Sequence, residues 1–88
     1  MTDAARFDVI GLGTVVVDHL VVLDAHPSQD TKNAVAADHL QVGGPVPTAL
    51  AMLSRLGRRC AFVGAWGDDP FGQMVEADFD REGIDRRH

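Results

Sequence analysis

Apolar residues along the chain fall into short runs set apart by glycine, proline and acidic turns, and each run predicts an element. "RFDVIGLG" (6–13) is apolar at its centre and closed by Gly11 and Gly13, the pattern of a short buried strand. "TVVVDHLVVLDAHP" (14–27) is rich in β-branched residues and runs into the turn-forming "HPSQD", which predicts more strand. "KNAVAADHLQV" (32–42) has a poor period and reads as a weaker extended segment. Joined to the preceding strand by a short turn, it is placed to pair with it as a hairpin. From Pro45 to Leu56 the pattern changes to helical: Leu50, Leu53 and Leu56, flanked by Ala49 and Met52, form a stripe, and Gly57 supplies the stop. "RCAFVGAWG" (59–67) is a second buried strand. "DDPFGQMVEADFDREG" (68–83) predicts a second helix, capped by Asp68 or Asp69, with Pro70 in its first turn and Gly83 at its end. Phe71, Met74, Val75, Ala77 and Phe79 supply its apolar contacts, and "IDRRH" breaks off where another strand could begin.

Strand, hairpin, helix, strand, helix is the order of an α/β protein, with a parallel pair joined by a right-handed crossover. A parallel sheet needs cover on both faces, and two central strands are too few. The expectation is therefore that residues 1–88 are the opening segment of a larger α/β domain. The repeated "DHL" at 18–20 and 38–40 is too short to establish a repeat architecture.

Composition changes this picture little. A chain of 88 residues buries only about 60% of its unfolded surface, so any independent stability is thin. The net charge of −5 argues against nucleic acid or an anionic membrane as the main partner. No stretch approaches the roughly 20 apolar residues of a membrane span, and the N-terminus lacks the apolar core of a signal peptide. The single cysteine, Cys60, cannot form an internal disulfide, which favours a reducing cytoplasm; in "CAFVG" it reads as a small buried hydrophobe.

Candidate chemistry centres on "QVGGPVPTALAMLSRLG" (41–57), where two glycines and two prolines precede the helix. One capping residue would suffice to start a helix. Gly43 and Gly44 allow another molecule to approach the backbone, and Pro45 and Pro47 fit a first turn whose amides lack intrahelical partners. The positive end of the helix dipole favours hydroxyl oxygens or an anion there. A tightly packed loop-to-helix corner explains the same residues, and the residues alone leave both readings open. Asp18 interrupts an apolar strand; it either faces water or accepts bonds from sugar hydroxyls through its two oxygens. Lys32 is the only lysine, and a solvated turn position is its ordinary reading. "GLGTVV" lacks the third glycine and the following helix of a dinucleotide fingerprint. His19, His26, His39 and His88 show no metal-ligand spacing, and no nucleophile–base arrangement can be argued, so neither a metal site nor a catalytic residue is expected here.

Three motifs in order carry a resemblance: "GTVVVD" (13–18), "VGGPVPTALAMLSRLG" (42–57) and "AFVGAWGDDPFG" (61–72). Together they resemble the N-terminal third of the ribokinase-like, PfkB-type carbohydrate kinases, over essentially all of residues 7–85. The resemblance implies a single kinase domain of which 1–88 is the N-terminal part: a piece of a three-layer α/β/α core on a parallel sheet, with a β-hairpin lid at about 14–42. It implies that Asp18 holds sugar hydroxyls, that Gly43 and Gly44 lie against the sugar, and that the lid serves as a homodimer interface. It implies ATP and Mg2+ as cosubstrate and cofactor, bound through a C-terminal part that also carries the catalytic aspartate and is absent from 1–88.

Two positions depart from the family pattern. Thr48 stands where the family usually has a sugar-binding asparagine, and Pro45 follows the glycine pair where Asn or Lys is common. "VGGPxxTA" together with Lys32 in the lid is similar to the branch that phosphorylates sulfofructose, and a lysine would suit an anionic group on the sugar. The substrate-binding set expected from the sequence is thus Asp18, Lys32, Gly43, Gly44 and Thr48. The expected activity is transfer of the ATP γ-phosphoryl to a sugar hydroxyl, with this segment alone inactive. A non-catalytic binding or dimerisation remnant and a nucleoside kinase of the same fold are the alternatives.

Overall fold

A computed structural model describes residues 6–87. In chain order the elements are β1 (Val9–Leu12), β2 (Val16–Val22), β3 (Ala37–Gly43), α1 (Pro45–Arg55), β4 (Cys60–Val63) and α2 (Pro70–Glu82). β1 and β4 pair in parallel, with Val9 opposite Cys60 and Leu12 opposite Val63. β2 and β3 form a separate antiparallel hairpin running from Val16 opposite Gly43 to Val22 opposite Ala37. Asp85 adds a single parallel bridge to Ala61, where the sequence suggested a further strand.

The predicted elements all form, with narrower limits. The weak extended segment is a full strand, β3, because its pairing with β2 supplies what its own period lacks. The two strands are joined not by a short turn but by the loop 23–36, which closes with Ala36 N–H donating to the Val22 carbonyl.

The core lies where both helices cover one face of the β1–β4 sheet. Leu50, Cys60, Phe62, Val75, Phe79 and Ile84 are its buried members. Phe62 and Phe79 meet at a tilt of 42° with centroids 5.0 Å apart, and Trp66 meets Phe79 edge-on at 5.7 Å. Such aromatic pairs add about 0.5–1.5 kcal/mol beyond the area they bury. Burial pushes the Cys60 thiol up, in keeping with its role as a core residue.

The helix stripes differ from the sequence expectation. On α1 the inward residues are Val46, Pro47, Leu50, Ala51 and Leu53, whereas Met52 and Leu56 are exposed. On α2 they are Gly72, Val75 and Phe79, and Phe71 is exposed. Asp69, not Asp68, caps α2: its side chain accepts from Gly72 N–H at 2.8 Å. The opposite face of the small sheet is open, with Ile10 62% and Leu12 74% exposed. No helix among the described residues is long and apolar enough to cross a membrane.

Candidate functional site

Parallel α/β sheets place ligand sites outside the carboxyl ends of their strands. Here those ends are built from close backbone approaches. A side chain on Gly64, just past β4, would meet the Gly13 carbonyl oxygen at 2.7 Å. The chain then passes Thr14 into β2, returns along β3, and enters α1 at the Gly43–Gly44 corner beside the same strand ends.

Gly44 is the N-cap of α1 with φ 107° and ψ 150°, a conformation left almost entirely to glycine. A Cβ there would also lie 2.8 Å from the Thr14 carbonyl oxygen. Gly43 is different. Its φ is ordinary, and the atom its Cβ would strike is Asp18 Oδ2, at 2.5 Å. The missing side chain of Gly43 is therefore the space in which the Asp18 carboxylate sits. Pro45 and Pro47 remove two of the four amides that a helix start leaves unpaired. The Gly44 and Val46 amides remain, and the first intrahelical bond is Thr48 N–H to the Gly44 carbonyl at 3.1 Å. With half its donors gone, this helix start suits the oxygen of a hydroxyl better than a fully charged anion.

The hairpin has two faces. Val17 and Val42 turn inward and pack against the core. By the alternation of strand side chains, Asp18 and its cross-strand neighbour Gln41 occupy the other face. Asp18 is exposed and makes no hydrogen bond or ion pair among the described residues. On the inward-facing side, His19 Nε2 and Asp38 Oδ2 pair with each other at 2.7 Å, both over half exposed.

Of the five expected binding residues, Asp18, Gly43 and Gly44 come together at one corner. Thr48 follows one turn into α1, where it borders an open groove of about 580 Å³ between β3, α1 and α2. Gln41 also lines that groove, and Asp18 does not. Lys32 is not brought to the corner by pairing. It lies in the loop joining hairpin ends that stand about 20 Å along β3 from Gly43, at roughly 3.4 Å per residue. Gln41 carries no motif of its own in the sequence, although its position two residues before Gly43 places it on that residue's face. Among the described residues no group of three or more His, Cys, Asp or Glu could hold a metal ion.

The two glycines are separable by substitution. Gly44→Ala forces a side chain into a positive-φ position and against backbone, and should cost about 1–3 kcal/mol of stability. Gly43→Ala meets only a movable carboxylate and should cost far less. Denaturant midpoints of the two variants check this; equal losses would refute the distinction.

The pfkB family carbohydrate kinase model matches residues 7–88. Ketohexokinase of Mus musculus is 34% identical over 77 residues, covering 88% of this chain and 26% of that enzyme. A 5-dehydro-2-deoxygluconokinase of Clostridium perfringens is 31% identical over 80 residues, covering 91% of this chain and 22% of the enzyme. The chain thus spans about a quarter of the length of the curated relatives it matches. Among solved structures, a PfkB protein from Polaromonas sp. JS666 superposes with TM-score 0.74 at 28% identity, over 94% of this chain and 26% of that one. A carbohydrate kinase from Agrobacterium tumefaciens shares the fold with TM-score 0.76 at 22% identity, over 89% of this chain and 25% of that one. Strand ends, glycine corner and hairpin are thus those of a ribokinase-like α/β fold, and the chain belongs to the pfkB family of carbohydrate kinases.

Proposed function

We propose that this chain is the N-terminal, sugar-binding part of an ATP-dependent carbohydrate kinase that transfers the γ-phosphoryl group to a sugar hydroxyl. The observation that carries the reading is the placement of an unpartnered carboxylate, Asp18, in the space left by Gly43 at the carboxyl ends of the parallel strands. A carboxylate accepts only, and sugar hydroxyls are donors that match it. Asp18 would fix the acceptor sugar, and the Gly44 and Val46 amides would meet its oxygens. Magnesium and nucleotide would be held by residues outside this segment, and the segment alone would transfer no phosphate.

A ketose is the acceptor class that the relatives favour, since one is a ketohexokinase. The hairpin would also serve as the contact between two copies, for which the exposed Val21, Val22 and Leu40 supply apolar surface. Lys32 would matter only for an acceptor long enough, or a loop mobile enough, to bring an anionic group to it.

The test is phosphoryl transfer by the full reading frame that contains this segment, with D-fructose, D-ribose and a sulfonated ketose as acceptors. Transfer to one of them supports the reading, and ATP hydrolysis indifferent to all three overturns it. In the same assay Lys32→Ala should lower kcat/KM for the sulfonated ketose alone if the acceptor is anionic. Equal values on charged and neutral sugars return Lys32 to a solvated loop, compared at fixed salt because exposed charges are screened.

A further inference from the structure

Gln41 stands directly across the hairpin from Asp18, in register on adjacent strands. Side chains so placed have Cβ atoms about 4.5–5.5 Å apart, close enough to converge on neighbouring atoms of one ligand. Their chemistry is complementary: the carboxylate of Asp18 only accepts, whereas the Gln41 amide offers two N–H donors. Gln41, like Asp18, is exposed and has no hydrogen-bond partner among the described residues. The polar pair on the inward face behaves differently, since His19 and Asp38 satisfy each other at 2.7 Å. Farther from the corner, the face that bears Asp18 carries Leu20 opposite His39 and Val22 opposite Ala37, apolar but for that one histidine. The donor and the acceptor are thus set side by side at the end next to Gly43.

We propose that Gln41 is a second sugar-binding residue of the lid, donating to the oxygen adjacent to the hydroxyl that Asp18 accepts, so that the two hold a vicinal diol. This rests on the sugar-kinase reading above and adds to it the pattern of hydroxyls the acceptor must carry. A hydroxyl whose O–H donates to Asp18 and a neighbour whose lone pair accepts from the Gln41 N–H make one bidentate grip. An acceptor lacking either oxygen loses half of it.

The experiment compares wild type, Asp18→Asn, Gln41→Ala and Gln41→Glu in the full-length kinase. The acceptors are D-fructose, D-ribose and the sulfonated ketose, together with monodeoxy analogues of whichever sugar is turned over. Gln41→Ala should raise the sugar KM about three- to tenfold, the range of one neutral hydrogen bond, with kcat within about twofold and the ATP KM unchanged. Gln41→Glu removes the donors and sets a second negative charge against Asp18, so it should lose more. One monodeoxy analogue should be used equally well by wild type and Gln41→Ala, because its missing oxygen is the one Gln41 holds. An unchanged sugar KM in Gln41→Ala, with Asp18→Asn impaired, overturns the Gln41 assignment alone. So does a parallel rise in sugar and ATP KM. If wild type transfers phosphate to none of the three sugars, or if Asp18→Asn matches wild type, the sugar-binding reading falls and the Gln41 assignment falls with it.

Discussion

Replacing Gly72 with alanine should remove more than about 3 kcal/mol of stability, above the usual range for overpacking a core. Gly72 is buried in the first turn of α2, and a Cβ there would lie 1.7 Å from the carbonyl oxygen of Gly67. No rotamer relieves that contact, because alanine has none and the obstacle is backbone. The next atoms met are the Gly67 carbonyl carbon at 2.8 Å and Trp66 Cδ1 at 3.3 Å, so α2 must move as a unit. Such a movement would pull Gly72 N–H away from the Asp69 cap and open the packing of Trp66 on Phe79. Gly57→Ala is the comparison. Its φ of +90° is unfavourable for alanine, as that of Gly72 is not, but nothing lies within 4 Å of the new Cβ. It should therefore cost only about 1 kcal/mol, the lower end for a strained left-handed position. Urea unfolding of both variants at constant m checks the ordering, since a change in midpoint at fixed slope is a change in stability. A Gly72→Ala loss no larger than that of Gly57→Ala would mean that the helix start is not clamped by the 66–67 turn.

That clamp was hidden in the sequence. "GDDPFG" displays its caps, Asp69 and Pro70, because capping is local and needs only a few consecutive residues. The reason for Gly72 is a carbonyl five residues earlier that folds back on the helix, and no periodicity reports it. The same division runs through the fold. The strand–helix–strand order and the Asp18, Gly43 and Gly44 motif were legible because each element is short and punctuated. The helix stripes are not legible where apolar residues are too many: α1 offers Leu50, Leu53, Leu56 and Met52, and only contact with β1 and β4 selects Leu50 and Leu53 for the inside. β3 was weak as a sequence because half of its order comes from β2. Gly44 and Gly43 looked like one feature and are two, a backbone conformation and a vacancy for a carboxylate.

Asp18→Asn should lower kcat/KM for the acceptor sugar by roughly ten- to a hundredfold in the complete kinase while leaving the ATP KM within about twofold. Hydrogen bonds to a charged group contribute about 1.5–3 kcal/mol, and each 1.36 kcal/mol is a factor of ten. Asparagine has nearly the same shape, so the fold around Gly43 is kept and the change isolates the charge. It also replaces one acceptor oxygen by an NH2 donor, which faces a hydroxyl proton with another proton. Gly43→Ala approaches the same carboxylate from outside, by filling the space it occupies. If Asp18 acts where it sits, the two substitutions should impair the same parameter, and the double variant should lose little more than the worse single one. Residues acting through one contact are not additive, so a double-mutant cycle tests the link between them. Loss on the sugar side with additive free energies would separate the glycine from the aspartate. Unaltered sugar kinetics in Asp18→Asn would leave a solvated strand residue and no sugar at this corner.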